Sequence, residues 1–285
     1  MFKGNMMRPY IDCHNHIGLT INRVPPVGQN TAMCLSRFAE TNIYAAISMP
    51  TAVGSLITRG VDDIWDQNAV IARAGQAFPD RFPIGLALIE PRFGQRGIEE
   101  VERAMSELGL VGIVGHPPVR EDAIPFIEAA AARGGLCNLH LHDRLMADIA
   151  RMFPTAQFIV HASTYATDNF ARFDNIWFEV VQYPDARDSE WDFTALANKV
   201  GQDRIIFGAD LPYYDYRFLQ RIIEEAGCSE DLKDRIAYRN IVPLIQHYNP
   251  DWQLPDEAIQ TPRIYDPEEL WAHNPQMPDR LTVYA

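Results

Sequence analysis

Short apolar runs rich in β-branched residues alternate along this chain with stretches of helical period. That alternation predicts repeated βα units and a parallel sheet. The runs at 10–17, 44–49, 82–89, 112–115, 136–142, 158–161, 176–181 and 204–208 read as strands, and eight is the number that closes a barrel. Between them the pattern predicts helices over 62–77, 98–108, 123–133 and 144–152. A last helix is expected over 229–247, with Ser229 as N-cap and Glu230 and Asp231 in its first turn, where the helix dipole favours negative charge. Ile222, Ile223, Leu232, Ile236, Val242 and Leu244 read as core. Residues 249–285, rich in proline and polar residues, read as an irregular tail wrapping the barrel. The expected architecture is α/β: one (β/α)8 TIM-barrel domain over 1–285, with its irregular C-terminal tail.

Several of these strands close on chemistry. The first ends in Asp12-Cys13-His14-Asn15-His16, and later runs close on His116, on His140 and His142, on His161 and on Asp210. Strand side chains alternate with period two, so His14 and His16 point to one side and Cys13 is expected to point outward, into the helix layer. Two imidazoles converging from one strand end suit a divalent transition metal. In a TIM barrel the C-terminal strand ends meet at one face, so these distant residues would converge on one cavity. Only His247 and His273 of the eight histidines fall outside the pattern.

Composition narrows the function classes. The apolar share of 47% is normal for a globular protein with a large core. The net charge of −13 argues against nucleic-acid or anionic-membrane partners. Cys13, Cys34, Cys137 and Cys228 are scattered without a CxxC spacing, which fits reduced thiols. Residues 1–9 hold no long apolar run, and no stretch of about 18 uncharged apolar residues occurs. The expectation is a soluble cytoplasmic protein acting on a small molecule, with self-assembly into a homo-oligomer left open.

At this point the chain resembles the amidohydrolase superfamily, in the amidohydrolase-2 branch of enzymes like aminocarboxymuconate-semialdehyde decarboxylase. Asp12-Cys13-His14-Asn15-His16 resembles the branch's strand-1 metal pair. The segment from Asn68 through Phe78-Pro79-Asp80-Arg81-Phe82-Pro83-Ile84-Gly85 resembles its approach to strand 3, and Gly112-Ile113-Val114-Gly115-His116-Pro117 its strand-4 segment. Residues 153–161, ending in His161, resemble the strand-6 histidine segment. Gly208-Ala209-Asp210-Leu211-Pro212 resembles the strand-8 motif, and Arg239-Asn240 the last-helix asparagine. There are departures. Val114 stands where related branches carry a metal-bridging lysine, and Ala162-Ser163-Thr164 replaces a Gly-rich turn. His140 and His142 share a parity, so the strand-5 ligand is one or the other.

The resemblance implies a site with His14, His16, His140 or His142, and Asp210 around a divalent metal, zinc first and manganese second. Such a metal lowers the pKa of bound water and polarises a carbonyl. Asp210 would shuttle the proton, while His161 and His116 orient or polarise the substrate, or one of them serves as a further ligand. Asp12 reads as a partner behind the metal ligands or as a structural strand-end carboxylate. Arg92 and Arg120 follow strands and could clamp a substrate carboxylate, or pair at the surface; Tyr213 could line the pocket. Specificity is assigned to the loops 18–30, 51–60 and 163–172. The leading expectation is a metal-dependent hydrolase of a small lactone, amide or related substrate, favoured by short loops and an open, wet mouth. The alternative is a metal-dependent non-oxidative decarboxylase of a small aromatic or unsaturated carboxylic acid. A hydratase and a non-catalytic barrel complete the set, the latter disfavoured by the strand-8 acid Asp210.

Overall fold

The computed structural model describes residues 8–20, 27–51, 59–115, 121–140, 144–181 and 191–256. The chain begins with β1 (Tyr10–Thr20), β2 (Val27–Gln29), α1 (Thr31–Thr41), β3 (Ile43–Pro50), α2 (Val61–Ala77) and β4 (Leu86–Leu88). It continues through α3 (Gly94–Ser106), β5 (Gly112–Gly115), α4 (Ile124–Ala131), β6 (Leu136–Leu139), α5 (Arg144–Met152) and β7 (Gln157–His161). Then follow α6 (Thr164–Phe170), β8 (Ile176–Val180), α7 (Phe193–Val200), β9 (Ile205–Phe207), α8 (Tyr216–Glu225), α9 (Glu230–Asp234) and α10 (Ile241–Tyr248). Strands β4 to β9 form one parallel sheet in sequence order, and β1 pairs in parallel with β3. Single parallel bridges, Ser48 to Gly85 and Asn15 to Leu211, join these two sheets at both seams. The result is the (β/α)8 TIM barrel that the alternation of the sequence predicts.

Alternation sorts the strand residues into two layers. Ala45, Ile47, Leu86, Leu88, Val114, Leu136, Ile159 and Ile206 belong to one buried cluster inside the ring. Ala46, Ala87, Ile113, Cys137, Phe158, Val160, Phe178 and Phe207 pack outward against the helices. Val114, at the position of the missing bridging lysine, is fully buried in the inner layer.

The first strand breaks this rule. Asp12 pairs with Ala46 and Asn15 with Ser48, so three steps along β1 match two along β3. A bulge of this kind inserts one residue and re-aims its neighbours. Ile11 and Cys13 lie in the inner cluster, yet His14 and His16 also point inward. The expectation that Cys13 faces the helix layer is therefore wrong: its thiol sits 3.2 Å from a Glu179 carboxylate oxygen. Asp12 holds the bulge in place, because its Oδ1 accepts from the backbone N–H of His14 at 2.9 Å and of Ala209 at 2.8 Å.

Other differences also have local causes. The strand expected over 82–89 shortens to β4, where Asn68 Oδ1 rather than a neighbouring strand accepts from Leu88 N–H. The helix expected over 229–247 starts as foreseen, with Ser229 accepting from Leu232 N–H, but is interrupted by a π-helical turn over Arg235–Arg239. Pro243 has no N–H to donate to Arg239, and its ring crowds that carbonyl. The wider turn ends at Asn240, whose side chain donates to the carbonyls of Gln202 and Ile205 and so anchors the start of β9. Much of the expected loop over 163–172 is α6, capped by Ser163 accepting from Ala166 N–H. The tail's first residues pack on the barrel, with Trp252 buried and its indole donating to Asp80 O.

Candidate metal centre

Five strands deliver the site. The bulge on β1 brings His14 and His16 together, so that their Nε2 atoms lie 2.9 Å apart. Each imidazole is oriented through its other nitrogen. His16 Nδ1 is 2.8 Å from Pro50 O, so it donates there and leaves Nε2 as a lone pair. His14 Nδ1 faces both oxygens of Glu179, at 2.9 and 3.0 Å. Asp210, just beyond β9, brings Oδ1 to 3.2 Å from His16 Nε2 and 3.6 Å from His14 Nε2. Its φ of +53° is a left-handed conformation that side chains other than Gly, Asn and Asp rarely take; strain of that kind collects at functional sites.

The other side of His14 meets β6 and β7. Its ring centroid is 5.1 Å from that of His140 and 5.6 Å from that of His161, and these two are 4.4 Å from each other. Two groups of ligand atoms therefore share His14, each lying within 4.8 Å: His14, His16 and Asp210, and His14, His140 and His161. Imidazole nitrogen with carboxylate oxygen is a donor set that zinc, manganese and iron accept. Lone pairs aimed at one another at 2.9 Å repel unless a proton or a cation lies between them. The residues present thus fit a divalent metal.

Charge balance follows from burial. Removal from water pushes the Asp12 carboxyl up to about 7, against the two N–H groups it accepts from. Burial works against a charged His14, but Glu179 and Asp210 outweigh it and raise this imidazole to about 9. Burial lowers His16. It would raise Glu179 and Asp210, yet the surrounding histidines hold Glu179 well below the usual carboxylate range and Asp210 below its ordinary value.

Of the other residues singled out in the sequence, Tyr213 lies beside the centre, its ring 5.3 Å from that of His16. His140 stands in the cluster; its competitor His142, like His116 and Arg120, lies outside the described residues. Arg92 is 61% exposed and held in a two-pronged pair by Glu90. Glu179 was missed. It is fully buried and also lies 2.8 Å from His161 Nε2. Its signal was available: it is the lone charge in Ile176-Trp177-Phe178-Glu179-Val180-Val181, and it shares the inward parity of Trp177.

A family model described as amidohydrolase matches residues 11–244. Among solved structures, the 2,6-dihydroxybenzoate decarboxylase from Rhizobium is similar over 85% of this chain and 99% of its own, at 13% identity and a TM-score of 0.64. The 5-carboxyvanillate decarboxylase from Sphingomonas paucimobilis is similar over 84% and 99%, at 14% identity and a TM-score of 0.62. The dihydroxybenzoic acid decarboxylase from Polaromonas sp. JS666, with bound manganese and the inhibitor 2-nitroresorcinol, is similar over 84% and 97%, at 16% identity and a TM-score of 0.63. Among curated proteins none matches this sequence significantly.

Proposed function

Starting from a chain that belongs to the amidohydrolase family, we propose that it is a metal-dependent non-oxidative decarboxylase of a small aromatic or unsaturated carboxylic acid. The observation that carries the metal dependence is the convergence of His14, His16 and Asp210 at the C-terminal end of the barrel. His140 joins them as the strand-5 ligand. A bound divalent cation would supply Lewis acidity, holding the substrate's carboxylate and an adjacent oxygen.

The choice of reaction reverses the leading expectation of hydrolysis. That expectation rested on a wet, open mouth, whereas the floor of the site is dry, with His14 and His16 fully buried and Asp210 8% exposed, and His161 on the substrate side is 20% exposed. A carboxylate loses carbon dioxide more readily when taken out of water, so a dry floor favours this chemistry. The aromatic-acid decarboxylases among the similar folds support the same reading. In the reaction the bond from carbon to the carboxylate breaks, carbon dioxide leaves, and a proton takes its place. Asp210, ionised at rest beside the histidines, takes a proton from water or from the substrate's acidic group and passes it to that carbon. His161, tied to Glu179, faces the substrate from β7, with His116 as its expected partner. Tyr213 lines the wall next to His16. Zinc and manganese both suit the donors.

Incubation of the metal-loaded protein with 2,6-dihydroxybenzoate, 5-carboxyvanillate and a series of lactones and amides tests this. We expect loss of an acid with appearance of its decarboxylated phenol, abolished by chelation. Turnover confined to the lactones or amides would return the hydrolase reading.

A further inference from the structure

Glu179 is a buried carboxylate in an otherwise apolar strand, and among the described residues its polar contacts run to His14, Cys13 and His161. Its register partner on β7 is His161, whose Nε2 lies 2.8 Å from Oε1. The same carboxylate reaches in the other direction past β9 to β1, where it meets His14 Nδ1 at 2.9 and 3.0 Å and the Cys13 thiol at 3.2 Å. That reach needs a gap at the end of β9, and Gly208, the residue after it, supplies it. A Cβ there would sit 3.0 Å from Glu179 Oε2, 3.1 Å from Cys13 Sγ and 3.3 Å from His14 Cβ.

Resting on the metal-dependent reading above, we infer that Glu179 is the positioning residue of this centre: one carboxylate, passing over Gly208, fixes His14 toward the metal and His161 toward the substrate. Stability does not account for it. A buried ion pair gains little over apolar packing of the same volume, because both partners give up their hydration. A carboxylate on the far nitrogen of a metal-binding imidazole, in contrast, sets the tautomer, turns the ring and increases ligand basicity. Here Glu179 ensures that Nε2 of His14, not Nδ1, faces His16 and Asp210. The shared oxygen Oε1 also couples the two rings, so that a shift of His161 is felt at His14.

The test measures metal affinity by chelator competition with zinc, and the visible spectrum after loading with cobalt(II). Glu179→Gln removes the charge at constant shape, and Gly208→Ala keeps the charge but crowds it out of the gap. For each we expect zinc affinity to fall roughly 10- to 100-fold and the cobalt bands to shift. Metal-free Glu179→Gln should melt below the parent, since it leaves the buried His14 without its partner charge, so zinc affinity and the cobalt spectrum, not stability, carry the test. Zinc affinity within about twofold of the parent and an unchanged cobalt spectrum in either soluble variant would overturn the inference. If the parent itself takes up neither metal, the metal-dependent reading falls and this one with it; binding that ignores both substitutions sinks the positioning role alone.

Discussion

The Nε2 atoms of His14 and His16 face each other at 2.9 Å, with Asp210 Oδ1 3.2 Å from the second. Both Nδ1 atoms are already engaged, by Glu179 and by Pro50 O, so neither ring can turn away without losing a buried hydrogen bond. These orienting contacts aim both Nε2 atoms at one point, where a proton lies in the metal-free protein and a divalent cation would bind.

The first consequence concerns metal content. The protein should carry about one divalent transition metal per chain. His14→Ala combined with His16→Ala should empty it, as read by elemental analysis. The far-ultraviolet circular dichroism should persist, since a barrel core of this size does not depend on one metal as a zinc finger does.

Metal uptake should also release protons. Without metal, His14 is held protonated by Glu179 and Asp210, with its pKa at about 9. At pH 7.5 a metal must therefore displace a proton, about one per ion, and its apparent affinity should rise with pH up to about 9 and then level off. The sign for stability is the reverse: a raised imidazole pKa stabilises the metal-free fold below about 6.5, and that stability is lost as pH climbs through about 9. Calorimetric titration in buffers of different ionisation enthalpy counts the protons; no release at pH 7.5 would remove His14 as the protonated partner.

Asp210 contributes to binding and to proton transfer. Asp210→Asn should retain much of the metal while turnover falls by roughly a hundredfold or more. Equal losses in metal occupancy and in rate would instead make Asp210 a ligand only.

Asp12 has a different task. Asp12→Ala leaves two buried N–H groups without an acceptor, those of His14 and Ala209. The loss in unfolding free energy should be about 2–4 kcal/mol, at roughly 1–3 kcal/mol per orphaned group less relaxation. Asp12→Asn keeps an acceptor oxygen and discards a charge that burial disfavours, so it should cost much less. Denaturant unfolding of the metal-free proteins at pH 8 compares the two; equal losses would show that the charge, not the acceptor, holds the bulge.

These residues also mark how far the sequence can be read. Periodicity placed the eight barrel strands, because inner and outer layers are both apolar and short strands are bounded by turn residues. His14, His16, His140, His161 and Asp210 were legible because each closes such a run. Cys13 was misplaced because strict alternation cannot see a bulge, and this one is fixed by Asp12 bonding to Ala209, nearly two hundred residues away in sequence. Glu179 was overlooked because its meaning comes from His161 on one neighbouring strand and from the gap at Gly208 on the other. The break in the last helix is a proline effect, visible at Pro243, that a strong helical pattern outweighed in the reading.

The most direct measurement of the proposed reaction uses the metal-loaded protein with a substrate it turns over, in water enriched in heavy oxygen, with mass spectrometry of products and of the headspace gas. Decarboxylation predicts one carbon dioxide per substrate consumed and an organic product free of solvent oxygen label. An organic product carrying that label, formed without carbon dioxide, would contradict the account and restore hydrolysis at the same His14, His16 and Asp210.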